Sequence, residues 1–240
     1  IVFLPGLSEF CEKHFETAHW ALENNYGFFI IDWFGQGKSG RYLENPHKRH
    51  ATSFKEDVKD FHHWLDNFIL PHKLPLAMIA LSMGANIGLH GLYQKPPETF
   101  SCATFLAPMF GIRIMKKIPL ATQITEILKK FASESYVPGG GDWRENMHPA
   151  PMLSFLTKDP VRNPLHNAWS LADPDLQIGG VTFGWVYEAH RSCRRLRKIR
   201  LENIPVPFLI ACVQHEMLVD NKAIREIAKR LPNAKLMMLK

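Results

Sequence analysis

Short apolar runs recur along the chain, with stretches of helical periodicity between them. The runs are Ile1 to Leu4, Gly27 to Asp32, Leu76 to Leu81, Cys102 to Leu106, Pro207 to Val213 and Ala234 to Leu239. Strands that are apolar on both sides belong to parallel sheets covered by helices. The pattern therefore predicts an α/β fold: one mostly parallel, six-stranded sheet with helices on both faces. Between the second and third runs, Phe54, Val58, Phe61, Leu65 and Phe68 repeat at helical spacing, opened by a Ser53-x-x-Glu56 capping box and stopped before Pro71. His62 and His63 on this helix are read as partly solvated side chains, since neighbours on a helix diverge by about 100° and cannot easily share one ion.

Roughly 100 residues separate the fourth and fifth runs, where every other gap suits a single helix. This stretch is broken by Pro119, Pro138, the Gly139-Gly140-Gly141 run, Pro160, Pro164 and Pro174. A long structured insertion between two late strands, at the carboxyl edge of a parallel sheet, predicts a lid over the ligand crevice. The expected division is an α/β core over residues 1–111 and 200–240 with a lid or cap over 112–199. Trp143, Phe155, Trp169 and Trp185 either line an apolar groove in that cap or form its own core.

Composition narrows the function classes. The 240 residues are 46% apolar and 22% charged, enough to build a core and too ordered in character for a disordered tail. Twenty-nine Lys plus Arg against 23 Asp plus Glu leave a formal charge of +6, and six basic residues fall within Arg191–Arg200. That surplus is too local for a nucleic-acid binder; it is either the solvated face of a helix or an attraction toward an anionic phospholipid surface. No apolar stretch approaches the roughly 20 residues of a membrane-spanning helix. Cys11, Cys102, Cys193 and Cys212 are far apart and read as free thiols of a reducing compartment, so a cytoplasmic setting is expected, with room for peripheral contact at the inner membrane. The chain opens without Met, directly on a buried-strand run, and is expected to be truncated at both ends.

The chemistry concentrates where the third run ends, in Ala80-Leu81-Ser82-Met83-Gly84-Ala85, followed by a small-residue helical stretch with Gly88 and Gly91. Strand, Ser, then helix is a nucleophile-elbow pattern, and small flanking residues are needed because the serine sits on a sharp turn against its neighbours. An acyl-transfer serine needs donors for an oxyanion. The amide of Met83, at a helix amino end, supplies one, and the turn Pro5-Gly6-Leu7 after the first run supplies the other through the Leu7 amide. Gly35, Gly37 and Gly40 after the second run spell G-x-G-x-x-G, and Gly37-Lys38-Ser39 imitates a phosphate loop. The following residues, Arg41 to His50, contain Pro46 and no helical periodicity, so a nucleotide site is rejected for a structural loop beside the active site.

Together, Pro5-Gly6-x-x-Glu9, Asp32-x-x-Gly35-x-Gly37-x-Ser39, Leu81-Ser82-Met83-Gly84 and, in the insertion, Asp173-Pro174-x-Leu176 with Gly179 to Trp185 resemble the α/β-hydrolase family of monoacylglycerol lipases and bacterial lysophospholipases, also described as serine aminopeptidase-like hydrolases. The lysophospholipase branch is the nearer. Pro5 stands where that family usually has His, and Ala80 where it usually has Gly. The resemblance implies the order Ser, acid, His. It places the acid in the turn after the fifth strand, at Glu216, with Asp220 as accessory carboxylate or as the alternative acid. The histidine is implied after the last strand, where the chain stops at Lys240; none of the 12 histidines has that place, so the base is expected just beyond Lys240. The implied activity is serine hydrolysis of lipid carboxylic esters, with no metal, no organic cofactor and no nucleic-acid partner. A non-catalytic binding protein of this fold, a peptidase and a small-ester hydrolase remain alternatives.

Overall fold

The computed structural model describes residues 1–145, 159–162 and 164–239. Its centre is a parallel sheet of six strands, β1 (Val2–Leu4), β2 (Phe29–Ile30), β3 (Ala77–Leu81), β4 (Cys102–Leu106), β5 (Phe208–Val213) and β6 (Ala234–Leu239), in the spatial order β2-β1-β3-β4-β5-β6. Each expected run forms a strand. From β1 the chain steps outward to β2 on one side, and from β3 it steps to β4 on the other. The order therefore reverses between β1 and β3, and a crevice opens beyond their carboxyl ends. Leu4 pairs with Ala80 there, and Leu81 with Leu106, so Pro5-Gly6-Leu7 and Ser82 emerge side by side.

The helices are α1 (Phe15–Glu23), α2 (Phe54–Trp64), α3 (Met83–Gln94), α4 (Ala121–Ala132), α5 (Leu165–Ala172), α6 (Phe183–Leu196) and α7 (Asn221–Arg230). In α2 the Ser53 hydroxyl caps the Lys55 amide at 3.1 Å, while Glu56 pairs with Lys59 rather than reaching back to Ser53. The expected apolar stripe holds through Leu65 and then slips. Residues Leu65–Ile69 form a wider π turn, in which the Leu70 amide bonds the Leu65 carbonyl. The additional residue in the turn rotates the phase, leaving Phe68 61% exposed and Ile69 fully buried.

The central core joins Val2 and Leu4 of β1, Met78 and Ala80 of β3, and Phe105 of β4 to Phe54, Val58 and Phe61 of α2. Trp185, Ala189, Cys193 and Leu196 of α6 are buried in that same cluster. Helix α6 thus packs on α2 and α3, and α4 in turn packs on α6. No described helix is long and apolar enough to cross a membrane, and all four cysteines are free.

Candidate active site

Ser82 caps α3 with φ 49° and ψ −108°, a left-handed conformation that an L-residue holds only when its surroundings enforce it. Three backbone hydrogen bonds do so. Its amide donates to Leu106 O at 2.9 Å, and its carbonyl accepts from Met109 N at 3.0 Å and Asn86 N at 3.3 Å. The half-buried hydroxyl has no hydrogen-bond partner among the described residues. Gly84 lets α3 press against the end of β1: a Cβ there would lie 2.2 Å from Leu4 O and 2.6 Å from Pro5 O. Ala80 is tolerated because it faces Gly88, where even an added Cβ would come no closer to it than 3.8 Å.

The turn after β1 is held from beneath. Trp33 Nε1 donates to Pro5 O at 2.9 Å, and Gly6 N donates to Glu9 Oε2 at 2.7 Å. The amide of buried Gln36 donates to Gly6 O at 2.8 Å and Glu9 O at 2.7 Å, while its oxygen accepts from Ser8 N at 3.1 Å. Burial by itself would raise the Glu9 pKa; the Lys13 ammonium at 2.6 Å, with the His14 ring 3.5 Å away, outweighs it and holds the carboxyl well below the usual carboxylate range. The amides of Leu7 and Met83, by contrast, donate to no described residue.

The glycine loop that imitates a nucleotide fingerprint is where Gln36 comes from. Its interior is filled by the Asp32 carboxylate, which accepts from Cys11 N and Lys38 N, both at 2.9 Å. Gly37 has φ 56°, and a Cβ on it would lie 2.2 Å from that carboxylate. Residues 41–52 form turns and bends, with no helix behind the loop. Gln36 was findable as the polar residue between two glycines. Nothing in the local sequence signals Arg49, which is fully buried beside it and donates through Nε to Gln36 Oε1 at 3.0 Å.

In the turn after β5, Glu216 is half-buried and its Oε1 accepts from Leu218 N at 2.8 Å and Val219 N at 3.2 Å, leaving Oε2 free of described partners. Asp220 is buried and caps α7: Oδ1 accepts from Lys222 N at 2.9 Å and from Lys116 Nζ at 2.5 Å. A cleft of about 410 Å³ lies here, lined by Arg113, Lys116, Gln214, Glu216 and Asp220. The Gln214 amide donates to Leu239 O at 2.9 Å, so the end of β6 runs alongside the same turn.

No described histidine is hydrogen-bonded to Ser82. His50 pairs with Thr182 Oγ1 at 2.8 Å, His62 with Gly91 O at 3.1 Å, His63 with Asn67 at 3.2 Å, His90 with Ser192 O at 3.3 Å and His190 with Thr122 at 3.1 Å. His19 pairs with Glu23, His166 stacks on Phe10, and His215 is exposed. His148 lies outside the described residues.

Among the aromatic residues of the insertion, Trp185 is part of the central core, 5.9 Å from the Phe54 ring. Trp169 meets Phe15 edge-on at 5.7 Å, and Trp143 is half-buried. Phe155 lies outside the described residues. In the basic run, Arg191, Arg194, Arg197, Lys198 and Arg200 are exposed, with Arg191 3.6 Å from Glu188.

Comparison with known proteins gives a consistent picture. The family described as "Serine aminopeptidase, S33", of the hydrolases, matches residues 1–239. Lysophospholipase L2 of Escherichia coli is 30% identical over 226 residues, covering 92% of this chain and 65% of that protein. The chain thus spans just under two thirds of the length of that relative. Among solved structures, a soluble variant of monoglyceride lipase from Saccharomyces cerevisiae in complex with a substrate analog superposes with a TM-score of 0.71 at 20% identity, covering 99% of this chain and 76% of that one. The monoacylglycerol lipase of Paleococcus ferrophilus superposes with a TM-score of 0.73 at 16% identity, covering 100% and 83%. The fold is that of the α/β hydrolases.

Proposed function

This chain belongs to the serine aminopeptidase S33 family of hydrolases, and from that premise we propose that it hydrolyses carboxylic esters of lipids, as a lysophospholipase or monoacylglycerol lipase, through an acyl-enzyme on Ser82. The observation that carries this reading is one geometry. A serine hydroxyl without a described partner stands on a left-handed corner at the β1/β3 reversal, where the turn carrying Leu7 also emerges, and the amides of Leu7 and Met83 donate to no described residue.

Ser82 Oγ attacks the ester carbonyl carbon as its proton passes to a histidine, and the carbonyl oxygen, now an anion, takes hydrogen bonds from the Leu7 and Met83 amides. Collapse breaks the ester C–O bond, and the leaving alkoxide takes the proton from the imidazolium. Water then adds to the acyl-enzyme by the same route and releases the fatty acid. Glu216 is the acid that orients the histidine: one oxygen is fixed by two backbone amides while the other stays available. Asp220 shapes that turn as helix cap. The base is a histidine following β6, a placement supported by the contact of Leu239 with the Glu216 turn and by the lack of a hydrogen bond from any described histidine to Ser82. Residues 112–199 act as the cap, anchored to the core through α6. Leu120, Ile124, Ile127 and Phe131 are exposed along one side of α4, near Lys116, Lys117 and Lys130 in sequence, which supports peripheral contact of this cap with lipid aggregates.

The test is labelling of the full-length protein by an alkyl fluorophosphonate. Wild type should be labelled and should hydrolyse a lysophospholipid; Ser82→Ala should do neither. Labelling that survives in Ser82→Ala overturns the proposal, as does a folded wild type that is never labelled, which would fit a non-catalytic binding protein. Faster cleavage of aminoacyl amides than of lipid esters would move the assignment to a peptidase.

A further inference from the structure

A fully buried arginine is costly, because removing a guanidinium from water costs several kcal/mol even after relaxation, and Arg49 is one. The strongest opposing charge acting on it is that of Asp57, 1% exposed, whose carboxylate oxygens have no hydrogen-bond partner among the described residues. What the arginine touches is specific. Its backbone is stitched to the segment before α6: Arg49 N donates to Gly180 O at 3.1 Å, and Thr182 N donates to Arg49 O at 3.0 Å. Its side chain runs the other way. Nε holds Gln36 Oε1 at 3.0 Å, Nη1 donates to His50 O, and Nη2 lies 3.7 Å from Met83 Sδ. Gly35 makes room for it, since a Cβ there would lie 2.6 Å from Nη1.

Gln36 in turn grips the turn that carries Leu7 through Gly6 O, Ser8 N and Glu9 O. One guanidinium therefore reaches both oxyanion donors: the Leu7 side through Gln36, and the Met83 side through that residue's own sulfur. It does so from a backbone tied to the cap. We propose that Arg49 is a positioning residue that holds the Leu7 and Met83 amides in convergence and couples them to the seating of residues 180–182. This rests on the acyl-transfer reading of Ser82 and goes beyond it in naming what sets the oxyanion geometry.

The test uses the full-length protein and Arg49→Lys, Gln36→Met and the double variant. Arg49→Lys keeps a buried cation opposite Asp57 but cannot hold Gln36 and Met83 together. Each single variant should lose about 10- to 100-fold in kcat on a soluble p-nitrophenyl ester, with KM within about 2-fold, because misplacing an oxyanion donor acts on the transition state. Affinity for a trifluoromethyl ketone, which forms the tetrahedral adduct, should fall by the same factor, and affinity for the matching fatty alcohol should not. The double variant should lose little more than the worse single one, because the two residues act in series. Unchanged kcat in folded Arg49→Lys, losses that multiply in the double variant, or equal losses of alcohol and ketone affinity each overturn the inference. If Ser82→Ala abolishes hydrolysis and the Arg49 variants do not slow it, this inference alone falls; if Ser82→Ala leaves hydrolysis intact, the function proposal falls with it.

Discussion

Gly84→Ala should separate the placement of the oxyanion donors from general stability. The new methyl would lie 2.2 Å from Leu4 O and 2.6 Å from Pro5 O, where ordinary contact begins near 3.4 Å, so helix and strand must part by about 1.2 Å. Both obstacles are backbone, and Leu4 is buried and paired with Ala80, so no rotamer change relieves them. Overpacking of this kind costs about 1–3 kcal/mol of stability. The catalytic effect is more telling, because Gly84 directly follows Met83 and its obstacles, Leu4 and Pro5, lead directly into the Leu7 turn, so parting them shifts one donor against the other. A misplacement of about 1 Å is worth about 100-fold in rate, or about 2.7 kcal/mol of barrier.

Gly91→Ala is the matched control. Its methyl would meet the Phe61 ring at 2.6 Å, on the same helix but seven residues further along, about 10 Å from the elbow. It should lower stability by a similar amount and leave kcat within about 3-fold, since it moves neither donor. The assay is kcat per folded molecule of full-length protein on a soluble p-nitrophenyl ester, well below each Tm, with stability from urea unfolding. Gly84→Ala with wild-type kcat would refute the close-approach argument. So would equal activity losses in the two variants at matched folded fraction.

Other outcomes follow from the same contacts. Burial raises the Asp57 pKa from 3.8 to about 6, against the pull of Arg49. The folded protein therefore holds this proton more tightly than the unfolded chain. The carboxyl costs nothing below about pH 4, costs progressively more up to pH 6, and costs its full amount above that. Asp57→Asn should accordingly be more stable than wild type by at most about 3 kcal/mol above pH 6, with the difference shrinking toward zero near pH 4; a difference that is flat with pH in urea titrations contradicts this. Glu216→Gln keeps an oxygen for Leu218 N and Val219 N, so Tm should hold while kcat falls about 1,000- to 10,000-fold. Asp220→Ala removes the α7 cap and the Lys116 ion pair, so about 1 kcal/mol of stability should go with a smaller loss of kcat. An exchange of these two phenotypes would make Asp220 the acid.

The parts readable in the chain are those where a local pattern has one physical solution. Each apolar run became a strand; those in the middle of the sheet are largely covered, whereas β6 at the edge leaves Lys235, Met237 and Leu239 exposed. Ala80 to Ala85 could be read as an elbow because a serine on a left-handed corner tolerates only small neighbours, and Gly84 shows why, with β1 backbone where its side chain would be. Phe68 shows the limit of the same reasoning. Its spacing fits the α2 stripe, yet a single π turn exchanges it for Ile69.

Only the tertiary structure showed how Gln36, Arg49 and Trp185 are packed and what surrounds Glu216. The glycine loop carries the same letters whether its interior holds a phosphate or, as here, the Asp32 carboxylate. Arg49 looks like one basic residue among 29; its burial depends on strands and turns from four separate stretches closing around it. Glu216 and Asp220 are two carboxylates of one turn, and the backbone amides and cations around each are set only by folding. Trp185 sits in the insertion by position but in the central core by packing. Periodicity and side-chain size act between near neighbours and are written along the chain, whereas charge compensation and hydrogen-bond satisfaction depend on partners brought together from far apart, which only the folded molecule specifies.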